Sequence, residues 1–157
     1  MSVALAARVR PAGGYSSFSL LAVQLMERAR SILAPVVAVV VGALVVAAIE
    51  AAGHKAFPPP ADIDVADRDA LARVIENAPF GALVFVLIAW FCGTAAAVFT
   101  AIRVHPDRAR WAAYVAAALL AAGAVVTIVT IPHPTWFVIA TPFVYALALG
   151  AGLRMAE

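Results

Sequence analysis

Charged residues are scarce in this chain. They make up 13% of its 157 residues, against about 25% in a typical soluble domain. Hydrophobic residues make up 65%, and the mean hydropathy is +0.99. So few charges cannot keep so much apolar surface in solution, and we expect lipid to cover part of it. The shortage of charge therefore excludes an ordinary soluble domain and predicts an integral membrane protein.

Cysteine and lysine are nearly absent. Cys92 is the one cysteine, which excludes a disulfide within the chain and any zinc or iron–sulfur site built on several cysteines. Its place inside an apolar run is typical of a buried, unreactive thiol. Ten of the eleven basic residues are arginines, and they lack the interleaved aromatic residues of a nucleic-acid surface. We therefore expect no nucleic-acid partner.

Four apolar runs are long enough to span a membrane. A helix rises about 1.5 Å per residue and needs about 20 residues to cross a hydrocarbon core about 30 Å thick. The predicted spans are residues 31–52, 80–102, 111–131 and 136–153. The connections between the last three are short, which makes consecutive spans antiparallel neighbours. The sequence therefore predicts an all-α, integral membrane four-helix bundle with up-down-up-down topology.

The membrane domain is predicted to occupy residues 26–157. Residues 1–25 contain Arg8 and Arg10 but no acidic residue. We expect them to form a flexible extension ahead of a natural start at Met26.

The segment between the first two spans is polar and contains a second kind of helix. Its apolar residues recur at positions i, i+3, i+4 and i+7, which is typical of an amphipathic helix. These residues are Leu71, Val74, Ile75 and Ala78. The pattern predicts a short helix over residues 67–77 that lies on the outer membrane surface or caps the bundle.

Loop charges orient the predicted spans. Eight arginines flank the N-terminus, the 103–110 loop and the C-terminus, whereas the other side has only Lys55, Arg68 and Arg73. Because basic residues favour the cytoplasmic side, both termini are predicted to be cytoplasmic and residues 53–79 extracytoplasmic. The preference for Arg over Lys, together with many Ala and Val residues, suggests a bacterial source and hence the bacterial inner membrane.

One polar cluster is predicted at the outer end of the bundle. Glu50 is the only Asp, Glu, Lys, Arg or His inside any predicted span, and the sequence places it in the last turn of the first helix. His54 follows four residues later on the same helix face. His133 and Trp136 are expected at the same depth. A carboxylate inside a membrane is costly enough to suggest a functional site.

Four interpretations of this cluster stay open. Glu50 can reach the interface and pair with His54 or Lys55 as a structural cap. The cluster can instead form a pocket for a lipid head group, a quinone or another small amphiphile. Glu50, His54 and His133 can bind a metal such as zinc, and the two histidines can bind a haem. As the simplest case we expect no catalytic residue and no cofactor.

Small residues recur at four-residue spacing in three spans, which predicts close helix contacts. The three sets are Gly93, Ala97 and Ala101; Ala113, Ala117 and Ala121; and Ala146 with Gly150. Trp90 is predicted to pack inside the bundle. His105 is predicted to be a solvated loop residue.

The order of the polar motifs resembles that of a known group of proteins. Glu50-Ala51-Ala52-Gly53-His54 precedes Phe57-Pro58, and His133-Pro134-Thr135-Trp136 precedes the last span. Over about residues 27–154 the chain resembles small four-span bacterial membrane proteins that share E-x-x-G-H and H-P-x-W motifs. The resemblance implies the four-span layout and directs attention to the polar cluster, but it implies no activity.

These observations favour a structural or accessory component of a membrane assembly, without enzymatic activity. Its partners would be lipids and other membrane proteins or further copies of itself. The alternative is a membrane protein that binds a ligand or metal through Glu50, His54 and His133. The two hypotheses differ in whether Glu50 only stabilises the bundle or contacts a bound molecule.

Overall fold

Five helices make up the described part of the chain, which comprises residues 17–58, 67–105 and 109–157 of a computed structural model. No strand occurs in those ranges. The helices are α1 (Ser17–Ala56), α2 (Arg68–Glu76), α3 (Phe80–Val104), α4 (Ala109–Thr130) and α5 (Thr135–Met155). All except α2 are long and apolar enough to cross a membrane. The prediction of an all-α chain with four such helices is confirmed.

Helix α1 is longer than the predicted first span at both ends. It contains 40 residues, which corresponds to about 60 Å at 1.5 Å per residue. The charged segment 26–30 does not interrupt it, because Met, Glu, Arg and Ala are all good helix formers. The helix ends just before Phe57, since the residue that precedes a proline is disfavoured in the α conformation. Residues 17–25 of the predicted extension are thus helical, and residues 1–16 lie outside the described part.

Helix α2 is close to the predicted range of 67–77. Asp67 is its N-cap residue, and Oδ1 accepts hydrogen bonds from the backbone N–H groups of Asp69 at 2.9 Å and Ala70 at 3.2 Å. This cap satisfies two donors that the first turn would otherwise leave free. Residues 59–66, which precede it in the predicted polar segment, and residues 106–108 lie outside the described ranges.

Helix α3 is the central helix, because it packs against α1, α4 and α5. It approaches α1 closely at a pair of facing glycines. A Cβ atom on Gly93 would lie 2.8 Å from the carbonyl oxygen of Gly42, and a Cβ atom on Gly42 would lie 2.8 Å from that of Gly93. The two backbones therefore meet where neither helix has a side chain, as in close contacts of membrane helices.

The predicted small-residue faces are largely confirmed on α3 and α4. The buried members are Gly93, Ala97, Ala101, Ala113 and Ala117. On α5 the prediction is wrong, since Ala146 is exposed and a Cβ atom on Gly150 would meet nothing within 4 Å. Gly152 makes the close contact instead, where an added Cβ would lie 2.6 Å from Cβ of Val98. Spacing alone did not reveal which of two neighbouring glycines faces the partner helix.

His105 is buried, so the prediction of a solvated loop residue is wrong. Only 3% of its surface is exposed, and Nε2 lies 3.3 Å from the hydroxyl oxygen of Ser31. The sequence placed the start of the first span at Ser31 and therefore left no helix to cover the turn. In the structure α1 continues to Ser17 and passes alongside the imidazole.

Candidate functional site

A cavity of about 980 Å³ lies where α1 ends and α3 begins. Helix α2, the end of α4 and the connection from α4 to α5 complete its walls. The polar side chains that line it are those of Glu50, His54, Arg73, Asn77, Thr127 and His133. The other lining residues are glycine, proline, aliphatic or aromatic. The cavity thus combines an apolar wall with a few polar groups.

Glu50 lies deeper in the bundle than the sequence predicted. It is not in the last turn of the first helix, because α1 continues beyond it to Ala56. One turn further along α1, a Cβ atom on Gly53 would lie 3.2 Å from the ring of Phe85 on α3. Glu50 is therefore level with the region of Trp90, about 15 Å along α3 from its first residue. At that depth the carboxyl group forms part of the floor of the cavity.

Two groups that can form hydrogen bonds lie close to the Glu50 carboxyl group. His54 is one turn further along α1, and the indole of Trp90 approaches from α3. Glu50 is half-buried and His54 is exposed, whereas only 6% of the surface of Trp90 is exposed. The carboxyl group therefore has an imidazole on the open side of the cavity and an indole on the closed side.

Aromatic contacts fix the position of Trp90. The ring centroid of Phe137 lies 5.4 Å away with an interplanar angle of 70°, and that of Tyr145 lies 6.1 Å away. The Tyr145 hydroxyl donates to the carbonyl oxygen of Leu120 at 3.2 Å. The edge-to-face contact with Phe137 favours one orientation of the indole ring. The floor beside Glu50 is accordingly held from three helices.

His133 lines the cavity from the connection between α4 and α5. Nδ1 lies 2.6 Å from the carbonyl oxygen of Ile131, and because a carbonyl can only accept, Nδ1 carries the hydrogen. The imidazole also stacks on Phe137, with centroids 4.8 Å apart and an angle of 19°. In the neutral ring Nε2 is then left as an acceptor.

Trp136 is the one predicted site residue that does not line the cavity. Its ring lies 4.8 Å from that of Phe80 and 5.8 Å from that of Phe137. It therefore joins the first turns of α3 and α5. Sequence reasoning missed Trp90 and Phe85, which do line the cavity; nothing in an apolar run distinguishes such residues from ordinary packing residues.

The metal interpretation finds no ready-made ligand set. In residues 17–58, 67–105 and 109–157, no group of three His, Cys, Asp or Glu residues could hold a metal ion. Glu50, His54 and His133 share the cavity but do not converge on one point. A small molecule that spans the distance between them could still contact more than one.

Comparison of the chain with protein-family models, with curated proteins and with solved structures finds no match. The site has a carboxyl group at the floor, aromatic rings on the walls, and basic or neutral polar side chains towards the opening. Such an arrangement suits a molecule that has both apolar and polar parts.

Proposed function

We propose that this protein is a multi-pass membrane protein that holds a small amphiphilic molecule in the cavity beside Glu50. The supporting observation is the cavity, whose volume of about 980 Å³ falls within the range of ligand sites, about 300–1,000 Å³. An amphiphile would place its hydrocarbon or ring part against Phe57 and Phe85. Its polar group would contact Glu50, His54 or His133. Lipids and quinones belong to this class of molecule.

Binding, rather than catalysis, is the proposed role. Among the residues that line the described cavity there is no serine or cysteine, the side chains most often used as nucleophiles. Glu50 and His54 can hold and exchange protons, but proton exchange alone does not define a reaction. No metal ion enters the proposal, because Glu50, His54 and His133 do not form a common ligand set.

The proposed topology is up-down-up-down, with both termini in the cytoplasm and the protein in a bacterial inner membrane. The order of contacts along α1 and α3 supports it. Gly42 of α1 meets Ala97 of α3, and Gly53, which comes later on α1, meets Phe85, which comes earlier on α3. The two helices therefore run in opposite directions. The loop charges supply the orientation, with eight arginines on one side and three basic residues on the other. The cavity then opens towards the outer face.

Single cysteines can test this orientation in a Cys92→Ala background. Asn77→Cys and Arg154→Cys place a thiol at exposed positions at the two ends of the bundle. In spheroplasts, a membrane-impermeant maleimide is expected to label position 77 and not position 154. After permeabilisation it should label both. Labelling of position 154 in sealed spheroplasts would contradict the proposed orientation.

Occupancy of the cavity can be tested with a long-chain alcohol that carries a photoactivatable diazirine. In lipid nanodiscs we expect illumination to attach it to peptides that contain cavity-lining residues. Ala82→Trp adds an indole to the cavity wall and should remove most of this labelling. Ala118→Trp makes the same change at an exposed position of α4 and should leave it intact. Mass spectrometry of the digested protein measures the labelling of each variant.

Equal labelling of the two tryptophan variants would contradict the proposed function. It would favour the second candidate, a structural or accessory component of a membrane assembly. That role has one specific observation behind it: apolar side chains on the first turns of α1 are more than half exposed, at Leu20, Leu21, Leu25 and Met26. These residues precede Ser31, whose hydroxyl oxygen lies 3.3 Å from Nε2 of His105.

A further inference from the structure

We infer that the molecule held in the cavity is a lipophilic organic cation, with Glu50 as its counter-ion. The inference rests on the proposed function, because it names the charge and chemical class of the ligand in that same cavity. Three features of the cavity carry it: a carboxyl group at the floor, aromatic rings beside that group, and a wall in which most of the other lining residues are apolar.

The carboxyl group decides the sign of the charge. Electrostatic interactions strengthen as the local dielectric constant falls, and Glu50 is half-buried at the level of Trp90. An anionic group there would be repelled by the carboxylate. With a neutral ligand the carboxylate would depend on the exposed His54 imidazole one turn away, and a poorly compensated carboxylate is costly inside a membrane. His54 is exposed, whereas a cation held against the aromatic rings would lie in the less solvated part of the cavity.

The aromatic residues favour an organic cation over a metal ion or a simple ammonium. Phe57, Phe85 and Trp90 line the cavity, and aromatic faces attract cations, most strongly where water is excluded. A metal ion or a simple ammonium would have to give up its hydration shell against aliphatic side chains, at a high cost. A cation whose charge is shielded by hydrocarbon or aromatic groups pays little of that cost and gains the apolar contacts as well.

One arginine at the opening of the cavity would repel a bound cation. Arg73 lines the cavity from α2 and is exposed, so its repulsion of a cation is screened by water. The segment over residues 53–79 has five acidic and three basic residues. In the described part of this segment the acidic Asp67, Asp69 and Glu76 balance the basic Lys55, Arg68 and Arg73, so it adds no net repulsion of a cation at the opening.

Two probe ions of the same shape and opposite charge test the inference. Tetraphenylphosphonium is a cation and tetraphenylborate is an anion, and each has four phenyl rings around a central atom. Binding to the full-length protein in dodecylmaltoside can be followed by equilibrium dialysis, with protein-free micelles as the reference for partitioning. We expect tetraphenylphosphonium to saturate at one ion per chain. Tetraphenylborate should bind at least about tenfold more weakly, because it meets the Glu50 carboxylate.

Glu50→Gln removes the charge and keeps the shape of the side chain, so the fold is expected to tolerate it. This variant should bind tetraphenylphosphonium at least about tenfold more weakly, whereas Glu50→Asp should keep part of the affinity. Glu76→Gln is the matched control. It makes the same charge change at an exposed position on α2 and should alter affinity by less than about twofold.

The outcomes distinguish a failure of this inference from a failure of the proposed function. Equal binding of the two probe ions, or unchanged binding of tetraphenylphosphonium to the Glu50→Gln variant, would overturn the cation as ligand. Labelling of the cavity by the neutral diazirine alcohol would still support an amphiphile site in that case. Absence of labelling as well as of tetraphenylphosphonium binding would overturn both.

Discussion

Replacement of Gly93 by alanine is expected to lower the free energy of unfolding by about 1–3 kcal/mol, the usual cost of an overpacked contact. The added Cβ would overlap Cγ2 of Val46 and lie 2.8 Å from the carbonyl oxygen of Gly42. The valine methyl can rotate away only in part. The carbonyl belongs to the backbone of α1, so α1 and α3 would have to separate along their contact.

The loss can be measured by titrating the protein in dodecylmaltoside with sodium dodecyl sulfate and following far-ultraviolet circular dichroism. Gly150→Ala is the matched control, because an added Cβ there meets nothing within 4 Å. It should be neutral or stabilise by up to about 1 kcal/mol, since alanine is the better helix former. Equal destabilisation by the two substitutions would show that the α1–α3 crossing is not as close as described.

Sequence predicted the helix bounds well where a residue that breaks helices stands at the end. Helices α3 and α5 begin at Phe80 and Thr135, each directly after a proline, which is well suited to the start of a helix but not to its interior. No such residue stands before Ser31. Hydropathy alone placed the start of the first span there, and the helix continues back to Ser17 through residues that are charged but favour helix.

The candidate site was predictable only in part, because its residues come from several helices. Glu50, His54 and His133 were found since ionisable residues near the ends of apolar runs are conspicuous. Trp90 was predicted only to pack, because its place beside Glu50 depends on the register between α1 and α3. Trp136 was grouped with His133 through proximity in sequence, yet His133 lies in the connection before α5 and the Trp136 ring contacts Phe80 instead of lining the cavity.

That register follows from the glycine contact, and it links stability to the site. Gly42 and Gly93 fix how far α1 and α3 are displaced along each other. A shift of one helical turn would move Glu50 by about 5.4 Å relative to Trp90 and separate the carboxyl group from the indole. Substitutions at this crossing should therefore weaken ligand binding together with the fold, although neither glycine lines the cavity.

Replacement of Phe137 by alanine is expected to lower the free energy of unfolding by about 2–3 kcal/mol. The side chain is fully buried, and its ring contacts Trp90, Trp136 and His133 at centroid distances of 5.4, 5.8 and 4.8 Å. The same change in a water-soluble core costs about 3–5 kcal/mol. We expect a smaller loss here, because the unfolded chain stays in contact with apolar detergent or lipid. The loss then comes only from the packing contacts that disappear and from the empty volume left behind.

Phe143→Ala on the same helix is the control for this prediction. Phe143 is 66% exposed, so its truncation should change the unfolding free energy by less than about 0.5 kcal/mol. Loss of Phe137 should also free the indole of Trp90 and the imidazole of His133, and tetraphenylphosphonium binding should weaken in that variant alone. If Phe137→Ala proved no more destabilising than Phe143→Ala, the aromatic cluster would not be what holds Trp90 beside Glu50.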